Sequence, residues 1–307
     1  MARIVFMGTP DYARRVLEGL DRRDHDVIVV TKPDSPTGRH RIRTPSPVAS
    51  WAVQRSLEVW RPGSLADIKE ALAAWRPDYI LTAAFGWILR PWLLDLPRWG
   101  AYNLHASLLP RWRGANPIAW AIRAGDSVSG VTLMRMDAGI DTGPIVDQKV
   151  VPIGPDDTTE QMTQKLADVA AQLWNETMRI QGSGPFSHHP QPETGMTTAH
   201  KFGPHDDEVD WSLSASRIHA WVRSLTPEPK ASVHWGDTRI KIWDTHVENR
   251  GMGKRPGQVE LDREDWIVGC GQDSLRIRRV QPPGRRAMSP GAFVRGLRDT
   301  PKDWILR

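Results

Sequence analysis

Apolar residues in the first half of the chain fall in short continuous runs, at 3–7, 27–30, 78–84 and 100–105, separated by polar stretches with helical spacing. Continuity of this kind suits strands buried on both faces, since a half-exposed strand alternates. Between the runs, Leu65, Ile68, Leu72 and Trp75 recur at the spacing of one helix face and predict a helix over 64–75. Thr9 before Pro10 reads as an N-cap with proline at the first helical position, predicting a helix over 10–20. Asn116 before Pro117 gives the same signal, with a stop at Gly125, and strands are expected at 130–135 and 145–151. Thr158 and Gln161 have the spacing of a capping box. The long helix they open would bury Met162, Leu166, Val169, Leu173 and Thr177. Strands and helices in alternation predict an α/β fold, a doubly wound, Rossmann-like parallel sheet covered by helices.

The pattern then changes. Residues 181–191 are rich in Gly, Ser, His and Pro without periodicity, and a linker is expected over 181–206. Past it come one helix, 214–223, and short alternating runs at 231–235, 238–245, 266–270 and 275–280, with Gly, Asp and Pro turns between them. Small β-barrels have this look, so the 307 residues divide into an α/β domain, 1–180, and a smaller β-rich domain, 207–307. No stretch approaches the roughly 18 apolar residues of a membrane span, and the opening run is too short for a leader, so a cytoplasmic protein is expected. One cysteine, Cys270, excludes an intrachain disulfide and a thiolate zinc site; a small buried hydrophobe is its expected role, and no metal is expected. The net charge of +5 is uneven: residues 250–307 hold 13 Lys or Arg against 7 Asp or Glu. A basic C-terminal end inclines the chain toward a polyanionic partner.

Candidate chemistry begins at the end of the 100–105 run. Side chains two apart on a strand share a face, so Asn103 and His105 project together, an oxyanion donor beside a proton acceptor. Taken alone, the pair reads more simply as a hydrogen-bonded closure of a strand end. Asp141, in Asp137-Ala138-Gly139-Ile140-Asp141-Thr142-Gly143, reads by itself as a turn residue. Around 32–47, Arg39, His40, Arg41 and Arg43 cluster among prolines and glycine, either a solvated surface loop or a grip for RNA phosphates. Arg276 and Arg278 alternate on an expected strand and would share one face.

The string Asn103-Leu104-His105-Ala106-Ser107-Leu108-Leu109-Pro110, continuing to Arg113-Gly114-Ala115, closely resembles the signature of formyltransferases that use 10-formyltetrahydrofolate. The resemblance implies a catalytic set of Asn103, His105 and Asp141, with Asp141 keeping His105 charged, and no metal. It also implies folate contacts from Ser107, Leu108, Leu109 and Pro110 and from Ile88 and Leu89, the latter in a segment where relatives carry Tyr at the position of Phe85. Likeness extends to the opening Ile4–Pro10 stretch, to 32–48, to 210–215 and to 284–288, as in those family members that formylate methionyl initiator tRNA, a chemistry for which a monomer would suffice. For these the second domain would be an OB-like barrel, with tRNA contacts from Arg39, Arg41, Arg43, Arg276 and Arg278. Relatives place an aromatic where Glu228 stands.

Three rivals stand beside this expectation. A family member acting on an amino-sugar nucleotide, or hydrolysing the folate, would share the catalytic set but would not need the basic loop and barrel. A dinucleotide oxidoreductase would show Gly-x-Gly-x-x-Gly after the first strand, where Gly8-Thr9-Pro10-Asp11-Tyr12 has one glycine. A non-catalytic RNA-binding protein would leave Asn103, His105 and Asp141 without a task.

Overall fold

The computed structural model describes residues 1–37, 41–248, 253–297 and 304–306. Up to Ala199 the elements are, in chain order, β1 (Ala2–Gly8), α1 (Asp11–Gly19), β2 (His25–Val30), β3 (Ser35–Thr37), β4 (Ile42–Thr44), α2 (Pro47–Gln54) and β5 (Glu58–Trp60). Then follow α3 (Lys69–Trp75), β6 (Tyr79–Ala83), α4 (Pro91–Leu94), β7 (Gly100–His105), β8 (Arg113–Gly114) and α5 (Pro117–Ala124). The series closes with β9 (Val128–Arg135), β10 (Ile145–Pro152), α6 (Thr159–Gln181) and β11 (Thr198–Ala199). Two compact units result, one of Met1–Pro117, Val128–Pro152 and Thr163–His200, the other of Ile118–Ser127, Ile153–Met162 and Lys201–Arg307.

The first unit carries a seven-stranded sheet in the order β10-β9-β7-β6-β1-β2-β5. Its five strands from β7 to β5 are parallel, as a Rossmann-like fold requires, and the order reverses between β1 and β6. Ligands of open α/β sheets bind beside such a reversal, outside the carboxyl ends of the strands. The expected parallel sheet also carries an antiparallel edge: β9 runs antiparallel to β7 and β10 antiparallel to β9. A short connection between the last two strands permits this, because antiparallel neighbours need no helical crossover.

Local signals account for several of the elements. Thr158 and Gln161 form the expected capping box, with Gln161 N–H donating to Thr158 Oγ1 (3.3 Å) and Thr158 N–H to Gln161 Oε1 (2.9 Å). Elsewhere the start signals mislead: the N-cap of α1 is Pro10, and Thr9 makes no cap bond. The stretch 64–75 is a 3-10 turn, Leu65–Ile68, running into α3. Under the sheet, Trp174 is 1 % exposed and meets Tyr79 edge-on (5.6 Å between ring centroids) and Phe186 (5.5 Å). Burial pushes the Tyr79 phenol up to about 12, so its hydroxyl stays protonated to donate to the Gly184 carbonyl (2.7 Å). Tyr102, raised for the same reason, accepts from Phe186 N–H (3.1 Å). The sheet therefore anchors the chain after α6.

The second unit contains α7 (Ala215–Ser224), β12 (Ser232–Trp235), β13 (Thr238–Glu248), β14 (Gln258–Asp262), β15 (Asp265–Gly269), β16 (Ser274–Gln281), α8 (Pro290–Arg295) and β17 (Trp304–Ile305). Its six strands, in the order β12-β13-β16-β15-β14-β17, make an antiparallel, barrel-like sheet. Ile218, Val222, Ile240, Ile242, Trp266, Leu275 and Ile277 fill its core. Cys270 lies buried there and its thiol is pushed up to about 12 by burial, which leaves it unreactive. Glu228, at the position of the family's aromatic, accepts from the buried Lys230 ammonium (2.9 Å).

Candidate active site

Asn103 and His105 sit near the carboxyl end of β7 and point to one side, with Leu104 buried between them. Asn103 is the register partner of Thr82 on β6, and the Thr82 hydroxyl donates to Asn103 Oδ1 (2.8 Å). The amide's other end faces the Asp141 carboxylate, Nδ2 to Oδ1 at 3.4 Å. A carboxylate only accepts, so these two neighbours fix which end of the amide is the donor.

His105 is 5 % exposed. Its Nε2 lies 2.9 Å from the carbonyl oxygen of Trp112, an acceptor, and must carry a hydrogen. Nδ1 is then the nitrogen free to gain or lose a proton, and it faces Asp141 Oδ2 at 3.6 Å, an ion-pair distance longer than a hydrogen bond.

Asp141 comes from the loop between β9 and β10 with φ +52°, a left-handed backbone that Asp tolerates better than most residues. Its Oδ2 also accepts from Gly114 N–H (2.9 Å). Gly114 is itself required, since its φ is +117° and a Cβ there would stand 2.7 Å from the Ala199 carbonyl oxygen. One carboxylate thus joins the amide, the imidazole and a backbone donor. The polar atoms of positions 103 and 105 are each brought within 3.6 Å of those of Asp141.

The expected folate residues divide into two kinds. Ser107 is buried, and its hydroxyl donates to the Arg111 carbonyl (2.6 Å). Leu109 packs with Met134 and Ile145, and its N–H donates to Thr132 Oγ1 (3.1 Å). Leu108 and Pro110 are half-buried, and a Cβ at Gly130 would run into Leu108. Leu89 is buried with Phe85 and Leu93, whereas Ile88 is 74 % exposed. Of the six, Ile88 alone is exposed.

Of the basic loop, Arg39 lies outside the described residues. Arg41 and Arg43 are exposed on the β3–β4 hairpin, with Pro36 opposite Arg43. In the barrel, Arg276 is ion-paired to Glu248 (2.5 Å), Asp262 (2.9 Å) and Asp265 (3.1 Å), which together raise its pKa. A phosphate would have to displace those carboxylates. Arg278 is exposed at an irregularity of the β13–β16 ladder, as are Arg285 and Arg286 on the following turn.

Two contributors escape the sequence reading. Thr82 had one usable signal, a hydroxyl inside an otherwise apolar buried strand. Gln191 had none: its Nε2 donates to the carbonyls of Asp141 and Gly143 (both 2.8 Å), and its Oε1 accepts from Arg113 Nε (3.0 Å) and Nη2 (2.6 Å). Beside it opens a cleft of about 770 Å³ lined by Arg113, Thr142, Pro144, Gln191 and Met196, among others. Among the described residues no group of three or more His, Cys, Asp or Glu is placed to hold a metal ion, and no helix is long and apolar enough to cross a membrane.

A Rossmann-like sheet whose β7 end presents an amide and an imidazole to a loop carboxylate is equipped for acyl-type group transfer, and the chain belongs to the formyltransferase family. The family model for formyl transferase matches residues 2–178, and that for the formyl transferase C-terminal domain matches 201–298. The chain is 41% identical over 299 residues to methionyl-tRNA formyltransferase of Aromatoleum aromaticum, covering 96% of this chain and 94% of the relative. It is 38% identical over 318 residues to the enzyme of that name from Delftia acidovorans, covering 99% and 97%. By fold it is similar to an N-formyltransferase from Helicobacter canadensis solved with folinic acid and dTDP-3-aminofucose (TM-score 0.69, 19% identity, 92% and 100% covered). It is also similar in fold to methionyl-tRNA formyltransferase from Clostridium thermocellum (TM-score 0.58, 17% identity, 81% and 95% covered).

Proposed function

We propose that the chain transfers the formyl group of 10-formyltetrahydrofolate to the α-amino group of methionyl initiator tRNA, acting as a monomer in the cytoplasm. The observation that carries this reading is the 41% identity over 96% of the chain, which runs through both units rather than the catalytic one alone. Residues 1–180 do the chemistry and 207–307 grip tRNA; the stretch expected to link them, 181–206, belongs to the first unit as far as His200 and carries Gln191 there.

When bound, the folate supplies an activated formyl group. An apolar ring system with polar edges suits a surface that pairs exposed Ile88 with half-buried Leu108 and Pro110. Asn103 Nδ2 donates to the formyl oxygen as negative charge gathers on it, an office for which Thr82 holds the amide. His105 Nδ1 takes the proton released by the attacking amine and returns one to the leaving nitrogen. Asp141, 3.6 Å away, stabilises the imidazolium in between. The amine itself ionises near neutral pH, so releasing its proton is the smaller task. Arg41 and Arg43 on the exposed hairpin, with Arg39 beside them in sequence, contact phosphates of the acceptor end, and Arg278 contacts backbone farther along the tRNA.

The test is acceptor choice. Purified protein with 10-formyltetrahydrofolate is offered methionyl initiator tRNA, methionyl elongator tRNA and an amino-sugar nucleotide in parallel. Selective formylation of the initiator is expected, and formylation of the sugar alone would overturn the tRNA assignment while keeping the family.

A further inference from the structure

We propose that Gln191 is a positioning residue for the transfer, holding the Asp141 loop in its working geometry through an amide whose direction Arg113 enforces. This rests on the reading of Asp141 given above. All of the amide's capacity is spent: both N–H groups go to the loop carbonyls of Asp141 and Gly143, and the oxygen takes two guanidinium donors. A guanidinium only donates and a carbonyl only accepts, so a flipped amide would lose all four bonds. The clamp is one rigid unit.

The loop needs such a clamp. Asp141 has a left-handed backbone, φ +52°, and Gly143 is pressed so close to the Arg135 carbonyl that a Cβ would stand 1.9 Å from its oxygen. At its outer end the loop ties itself, Asp137 Oδ1 accepting from Gly139 N–H (3.0 Å) and Thr142 Oγ1 (2.7 Å). Its inner end, where the carboxylate departs, is where Gln191 bonds. Gln191 is in turn anchored two residues away, where His189 and Ile145 exchange backbone bonds of 2.9 and 2.8 Å. Asp141 meets Asn103 at 3.4 Å and His105 at 3.6 Å, both at the far end of contact range. A shift of the Asp141 backbone by a fraction of an ångström therefore breaks or makes both contacts at once.

Gln191→Glu separates the two halves of the clamp, since the carboxylate keeps Arg113 and sets oxygen against both loop carbonyls. The expected result is a fall of about 10- to 100-fold in kcat. KM for each substrate stays within about threefold, because ground-state binding is untouched. In an Asp141→Asn background the same substitution costs less than about threefold, since a residue that works through Asp141 has nothing left to position. If Gln191→Glu does not fold, Gln191→Met, which removes both halves at similar volume, is carried through the same comparison. The proposal is overturned if the foldable variant keeps wild-type kcat while Asp141→Asn loses it. It is equally overturned if the loss has the same factor in both backgrounds, the mark of a purely structural role. An Asp141→Asn enzyme with unchanged kcat would sink the reading of Asp141 itself, and the inference with it.

Discussion

Asp141→Asn isolates the charge at the centre of the site, because size and shape are kept. The amide must still choose an orientation. With its oxygen toward Gly114 N–H it keeps the 2.9 Å bond and turns an NH₂ on Asn103 Nδ2, donor against donor; the reverse orientation opposes Gly114 instead. Either way the unit negative charge 3.6 Å from His105 Nδ1 is gone. Two opposite unit charges at that separation attract by about 4 to 5 kcal/mol at an effective dielectric near 20. Since both side chains are mostly buried, 6 % and 16 % exposed, little of this is screened away. Every 1.36 kcal/mol is about a factor of ten in rate, so the loss of imidazolium stabilisation alone predicts a kcat near three powers of ten lower, within the range of about 10² to 10⁴ found for acid–base groups. Formyl transfer at saturating folate and methionyl-tRNA measures it, with a thermal melt as the control for folding. A variant that melts like wild type and turns over within about tenfold of it would refute the role given to Asp141, because no acid–base partner is so dispensable.

Other outcomes follow from the same structure. Truncating Trp174 to Ala removes the centre of the aromatic cluster under the sheet and should cost about 3 to 5 kcal/mol in equilibrium urea unfolding; a loss below about 1 kcal/mol would mean that the site collapses to fill it. His219 accepts or donates to Thr245 Oγ1 (2.8 Å) in the second unit, and burial, helped by the Arg223 guanidinium, holds its imidazole below the ordinary histidine value. The unfolded chain takes up that proton first, so this contribution to stability is present above about pH 6.5 and is lost as pH falls through the lower folded value. His219→Gln should flatten the acid side of the melting temperature against pH, and an unaltered profile would count against it. Replacing Arg41 and Arg43 together by Ala should raise KM for tRNA at unchanged kcat and make the salt dependence of binding shallower by about one to two units of log–log slope. An unchanged KM would remove the hairpin from the tRNA interface.

Much of the architecture is legible because burial on both faces leaves no choice of residue. The strands β1, β6 and β7 are continuous apolar runs for that reason, and Asn103 and His105 stand out as the polar residues at the end of one of them. The Thr158–Gln161 box is legible because capping is local. What escapes is either short or relational. β5 has three residues and one buried neighbour strand, and the β3–β4 hairpin lies in a stretch that reads as an open basic loop. β14 is half-exposed along its length and shows no apolar run. Nothing local marks Gln191, because its partners are 50 and 78 residues away in sequence. Arg276 looked like a free cation on an alternating strand; only the fold shows the three carboxylates around it.

The most direct measurement follows the formyl group itself. Folate carrying an isotopically labelled formyl group is incubated with the protein and methionyl initiator tRNA, and the tRNA is recovered and its aminoacyl end hydrolysed. Label should appear on the α-nitrogen of methionine with the wild-type chain and be reduced by about two to four powers of ten with His105→Ala. Label that stays with the folate or emerges as free formate, or label on methionine that is indifferent to His105, would contradict the transfer and the residues assigned to it.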